Sequence, residues 1–168
     1  MLHSELLWGG DRWVNMVEAI SLLGCLIAVS LIAKGLGAGA WGQILAAVVC
    51  VAIPEGLLEA SGPMNTYVVS FWMAVTLAFL LSANEAAGWL DVVCAGLATG
   101  LAVFTKGTAY IYLPFLMIAC WWMGSGAARV RILKRVPVIL ALMIGINAAQ
   151  YVRCYQLTGT PLGLPLPV

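Results

Sequence analysis

Charge is what this sequence has least of. Only 9% of its 168 residues are Asp, Glu, Lys or Arg, and there is a single histidine. A soluble domain carries about 25% charged residues, so these few cannot cover a globular surface in water. The net charge of +1 exerts no long-range pull on polyanions, which excludes a nucleic-acid binder. The cysteines Cys25, Cys50, Cys94, Cys120 and Cys154 form no C-x-x-C pair. Odd in number and widely spaced, they make neither a disulfide framework nor a zinc site. Met1 is followed by Leu-His-Ser-Glu, with no basic stretch or small-residue cleavage site of the kind a secretory signal needs.

What is present is apolar. Residues of the AVILMFWYC set make up 63% of the chain, and the mean hydropathy is +1.02. The natural solvent for such a chain is a bilayer. Six apolar runs stand out: Trp13–Ala33, Trp41–Ala60, Asn65–Ala83, Trp89–Phe104, Thr108–Met123 and Val136–Val152. A helix needs about 17–25 residues to cross a hydrocarbon core of about 30 Å. The first, third and sixth runs reach that length alone, and the fourth and fifth need their flanks. Pro54 removes a backbone donor from the second run and predicts a kink near its far end. The expected fold is all-α and membrane-integral, a single transmembrane domain over residues 1–168 with residues 1–12 as an interfacial segment.

If the spans alternate, one side receives Lys34, Arg129, Arg131, Lys134 and Arg135 against Glu85 and Asp91. The other receives Arg12, Lys106 and Arg153 against Glu5, Asp11, Glu18, Glu55 and Glu59. The positive-inside rule makes the first side cytoplasmic and puts both chain ends outside. Tyr67, Tyr110, Tyr112, Tyr151 and Tyr155 then all fall at external span ends, at the headgroup depth that interfacial aromatics prefer.

Two glycine motifs read as packing and turn devices. Gly37-Ala-Gly-Ala-Trp-Gly42 matches G-x-G-x-x-G but follows a membrane helix, whereas a dinucleotide site needs a preceding strand. It is read as a tight turn. Gly96 and Gly100 form a G-x-x-x-G step that lets helix backbones approach inside the bundle. Charges at the external ends carry the chemistry. Glu55 and Glu59, four apart, share a helix face, and Glu18 lies about 8 Å inside the first span, too deep for a short carboxylate to snorkel. Lys106 and Arg153 suit a phosphate, Arg by a bidentate fork and Lys as a point charge. Gly107 is expected to supply the turn after Lys106. Tyrosine rings and carboxylates suit a sugar and its hydroxyls.

At these residues the chain resembles the polyprenyl-phosphate-sugar-dependent glycosyltransferases of the GT-C superfamily, in the branch of protein mannosyltransferases and lipid A aminoarabinose transferases. The similar stretches are Ser30–Ala38 around Lys34, Leu58–Ser61 with Asn65 and Phe71-Trp72, Gly96–Leu113 with Thr105-Lys-Gly-Thr108, and Leu157–Gly163. The resemblance implies that the first span here is the family's second helix. The first helix and the external loop with the acidic residue taken as catalytic would then precede Met1, and later helices would follow Val168. Where relatives read Asn-Asp, this chain has Asn65-Thr66. Lys106 matches the lysine that in relatives lies near the donor phosphate.

The implied activity is transfer of a sugar from a polyprenyl phosphate to an acceptor glycan, lipid or protein at the external face of a bacterial inner membrane. Lys106 and Arg153 would hold the phosphate. Glu55, Glu59, Asn65, Tyr110, Tyr112 and Tyr151 would handle sugar or acceptor. No cofactor or metal is implied, the acidic base is not assigned, and the isolated chain is expected to be weak or inactive. The alternative reading is a small-molecule transporter or an accessory membrane subunit.

Overall fold

The computed structural model describes residues 16–54, 56, 58, 65–86 and 88–162, the side chains of 84–86 excepted. Among them are six helices: α1 (Met16–Gly35), α2 (Ala40–Ala52), α3 (Thr66–Ala86), α4 (Trp89–Thr105), α5 (Ala109–Met123) and α6 (Gly126–Thr158). Three are long and apolar enough to cross a membrane, within Met16–Gly35, Thr66–Ala83 and Gly126–Thr158. These are the runs whose length alone sufficed. The other three, Ala40–Ala52, Trp89–Thr105 and Ala109–Met123, are shorter apolar helices.

Two boundaries differ from the sequence expectation. The second run is broken rather than smoothly kinked: α2 stops at Ala52, Ile53 is extended (φ −71°, ψ 111°), and residues 54, 56 and 58 are helical again. Clash with the Pro54 ring disfavours helical backbone at the preceding residue, so the proline interrupts the helix at Ile53. The second difference is that α6 begins ten residues before Val136 and absorbs the basic cluster. Its 33 residues extend about 50 Å by helix rise, well beyond a hydrocarbon core of about 30 Å. The proposed interfacial segment 1–12 lies outside the described residues.

Successive helices run in opposite directions. The principal contacts are α1 with α2 and α3, α3 with α4, and α4 with α6, while α5 packs more lightly against α3, α4 and α6. Starts of α3 and α5 and the end of α4 meet in a cluster of Val69, Ala102, Val103, Ala109 and Leu113. Leu80, Leu81, Val92, Cys120, Ile132 and Ile139 cluster at the other end. The first is the tyrosine end and the second the basic end. Gly37, at φ +89°, turns α1 into α2: the Ala38 amide donates to the Ala33 carbonyl and the Gly37 amide to Lys34. That pattern is a Schellman cap, as the turn reading of the glycine motif requires.

Beside the buried leucines and isoleucines, small residues fill much of the interior. Ala28, Ala95, Ala98, Ala102 and Ala109 are buried, whereas Ile20, Leu23, Ile27, Trp41, Phe104, Phe115 and Trp122 face outward. Large apolar groups outside and small ones between helices is how bundles pack in lipid, where close approach rather than the hydrophobic effect draws helices together. Gly96 and Gly100 complete the α4 stripe. A Cβ at either would meet α6 side chains, Leu142 at 2.7 Å and Ile146 at 2.6 Å respectively. The buried Asn147 of α6 donates to the Gly100 carbonyl (3.0 Å) and to Met143 (2.9 Å), a polar tie at the same crossing. Interior hydroxyls of Thr76 and Thr99 bond the carbonyl one turn back, so neither is orphaned.

Acidic and basic side chains meet the helix ends that suit them. At the start of α3, the Tyr67 amide donates to Glu18 Oε2 at 3.0 Å, and Glu18 is only 3% exposed. At the far end of α3, Arg135 Nη1 donates to the Ala83 carbonyl at 2.7 Å. Arg129 donates to the Trp122 carbonyl (3.1 Å) at the end of α5 and lies 5.3 Å from the Trp121 ring centroid. Anions at helix starts and cations at helix ends are both stabilising. Glu18→Ala is expected to cost about 1–3 kcal/mol by leaving a buried amide unpaired, with Glu18→Gln milder because its carbonyl still accepts. Thermal unfolding followed by helical circular dichroism checks this. Equal stability of Glu18→Ala and the parent chain would remove the capping role.

Candidate functional site

The tyrosine end carries most of the residues singled out from sequence. α4 ends at Thr105, and Lys106 caps it in extended backbone (φ −154°, ψ 130°) with its amide on the Ala102 carbonyl. The Lys106 carbonyl then accepts the Ala109 amide and the Gly107 carbonyl accepts Tyr110, which starts α5 within four residues. Gly107 does not use left-handed backbone, since among the described glycines only Gly37 and Gly159 have positive φ. The tightness of this turn comes from its hydrogen bonds. Lys106 is exposed, and its side chain has no partner among the described residues.

Tyr110 and Tyr151, 41 residues apart, meet hydroxyl to hydroxyl at 2.5 Å and tie the start of α5 to the end of α6. Tyr112 and Arg153 each lie two residues on, about 200° around their helices, and do not share that face. Tyr112 is 56% exposed, and Arg153 is exposed as well. Asn65 stands exposed just before α3, where its carbonyl accepts the Val69 amide. Glu55 and Glu59 lie outside the described residues. The structure therefore joins Tyr110 with Tyr151, sets Lys106 in the adjoining turn, and leaves Tyr112 and Arg153 facing elsewhere.

Glu18 resolves differently from the sequence expectation. Its depth in the first span pointed to a ligand, whereas its carboxylate receives the first turn of α3. Tyr67, the second residue of α3, is likewise buried, its hydroxyl filling the space beside Gly56. A carboxylate one turn into a span has two uses, and only the position of the next helix distinguishes them. Among the described residues no group of three His, Cys, Asp or Glu side chains stands close enough to hold a metal ion.

The Tyr110–Tyr151 bond has a measurable signature. Tyr110→Phe and Tyr151→Phe are each expected to cost roughly 0.5–1.5 kcal/mol, with the double variant costing no more than the worse single one. A double-mutant cycle by chemical unfolding measures this, and strict additivity would mean that the hydroxyls act separately. Comparison with protein-family models, curated proteins and solved structures finds no match for this chain.

Proposed function

We propose that the chain is the central membrane part of a glycosyltransferase that uses a polyprenyl-phosphate sugar, with six spans and both ends on the outer face of a bacterial inner membrane. The observation that carries this reading is Lys106. It is an exposed cation in a tight turn beside a hydrogen-bonded tyrosine pair, at an end of the bundle where apolar helix surface gives way to polar groups. An anionic lipid headgroup resides at that depth.

In the proposed reaction an acceptor hydroxyl or amine attacks the anomeric carbon, and the bond from that carbon to the phosphate oxygen breaks. The electron pair leaves with the polyprenyl phosphate, and the acceptor's proton passes to a base not assigned here. Charge grows on the departing phosphate, and a fixed cation there lowers the barrier by stabilising that charge. Lys106 has this role. Tyr110 and Tyr151 orient the sugar, with Glu55, Glu59 and Asn65 in the wider site. The test is retention of a polyprenyl phosphate by the full chain in proteoliposomes, parent against Lys106→Ala.

A further inference from the structure

A cavity among the described residues lies away from the proposed transferase site. It is a groove of about 680 Å³ between α1 and α3. Ile27, Leu31, Val75 and Phe79 wall it, and Lys34 and Ser82 stand at its mouth. Its deep end is closed where the Phe71 ring packs on Gly24, so tightly that a Cβ there would come within 2.5 Å of the ring. From Gly24 to Gly35 is 11 residues, about 16 Å of helix rise. Half of a hydrocarbon core is about 15 Å. The groove thus runs from mid-bundle to the basic end, one leaflet deep.

The mouth is cationic. Gly35 is shared with a second cleft of about 240 Å³ lined by Leu81, Ser125 and Arg131. Lys34 lies in the last turn of α1, and Arg129, Arg131, Lys134 and Arg135 lie in the early part of α6 at this end. Arg129 and Arg135 are engaged on helix-end carbonyls, and Asp91 accepts the Ser82 hydroxyl at 3.1 Å. Lys34 is exposed, and its side chain has no partner among the described residues.

We propose that the α1–α3 groove is a site for an anionic phospholipid of the surrounding leaflet, one acyl chain lying along Leu31, Val75 and Phe79 and the phosphate resting at Lys34 beside the Arg131 cleft. An apolar channel of one-leaflet depth takes a chain from the side, and the cation at its rim selects the headgroup. Basic pockets between membrane helices recognise acidic headgroups in this way.

Native mass spectrometry of the full chain, extracted from vesicles of equal phosphatidylglycerol and phosphatidylcholine, tests the proposal. The parent chain is expected to retain phosphatidylglycerol over phosphatidylcholine by about fivefold, the contribution of one cation near a headgroup. Lys34→Gln brings the ratio near parity and Lys34→Arg preserves it. Ala78→Leu, which fills the groove wall, lowers retention of both lipids. Equal retention of the two lipids by the parent chain, or an undiminished preference in Lys34→Gln, overturns the headgroup site. Undiminished retention by a folded Ala78→Leu overturns the groove. Lys106 sits at the opposite end of the bundle, so this test and the test of the transferase reading fail independently.

Discussion

Replacing Gly96 and Gly100 together by leucine is expected to abolish the folded bundle, the largest stability effect in this chain. A Cβ at Gly96 falls 2.7 Å from Leu142 Cδ1 and 3.3 Å from the Ile139 backbone, and one at Gly100 falls 2.6 Å from Ile146 Cδ1. A methyl group is accommodated if those side-chain tips move. A leucine cannot be, because the α6 backbone itself stands behind them. Overpacking costs about 1–3 kcal/mol at one site and more where relief requires the helices to separate. Separation also breaks the bond from Asn147 to the Gly100 carbonyl, leaving that amide only its Met143 partner at a further cost of about 0.5–1.5 kcal/mol. Against a typical total of about 5–15 kcal/mol, two such substitutions leave little.

Gly145 supplies the control. It lies within α6, and a Cβ there meets nothing within 4 Å. Gly145→Ala is therefore expected to raise stability by about 0.5–1 kcal/mol through helix propensity alone. Unfolding temperature and monodispersity in detergent report both results. A stable, monodisperse double leucine variant would mean that α4 and α6 do not pack through this stripe.

How much of this was legible in the sequence depends on distance along the chain. Hydropathy placed Trp89–Phe104 and Thr108–Met123 within a residue of α4 and α5, because lipid allows no unpaired backbone and a run must be helical throughout. Hydropathy failed at the start of α6, where Ala127, Ala128, Arg129 and Arg131 are good helix formers although the segment is charged. The rule that helps is propensity: a helix does not end where the lipid does. At Ile53 the local effect of Pro54 turned the expected kink into a break, after which residues 54, 56 and 58 are helical again.

The contacts that define the site are of another kind. Glu18 reaches across 49 positions, Tyr110 across 41 and Arg135 across 52. No local spacing encodes such pairings. The readable signal was narrower: a charge at a span end needs either a ligand or another helix's terminus. For Glu18, Arg129 and Arg135 the structure shows the terminus. For Lys34 and Lys106 it shows an exposed cation with no side-chain partner among the described residues, and both proposals made here rest on that remainder.

Lys106→Ala is expected to reduce retention of polyprenyl phosphate by tenfold or more, and sugar transfer per molecule in step wherever transfer is measured. A tenfold loss corresponds to about 1.4 kcal/mol, the scale of one charge-assisted contact. Partial desolvation at headgroup depth strengthens that contact relative to open water. Folding is spared, because the turn is held by backbone bonds from Lys106 to Ala102 and from Ala109 to Lys106, none of which uses the lysine side chain. The unfolding temperature of Lys106→Ala should therefore match that of the parent chain, separating loss of binding from loss of structure. Lys106→Arg keeps the charge but spreads it over a planar fork on a different stem, so an intermediate loss is expected. A lysine that merely reaches toward the water layer predicts another pattern: arginine replaces it fully, and alanine alters yield in the membrane rather than affinity. Unchanged retention of polyprenyl phosphate by a normally folded Lys106→Ala would remove the phosphate role, and the glycosyltransferase reading would lose the residue on which it stands.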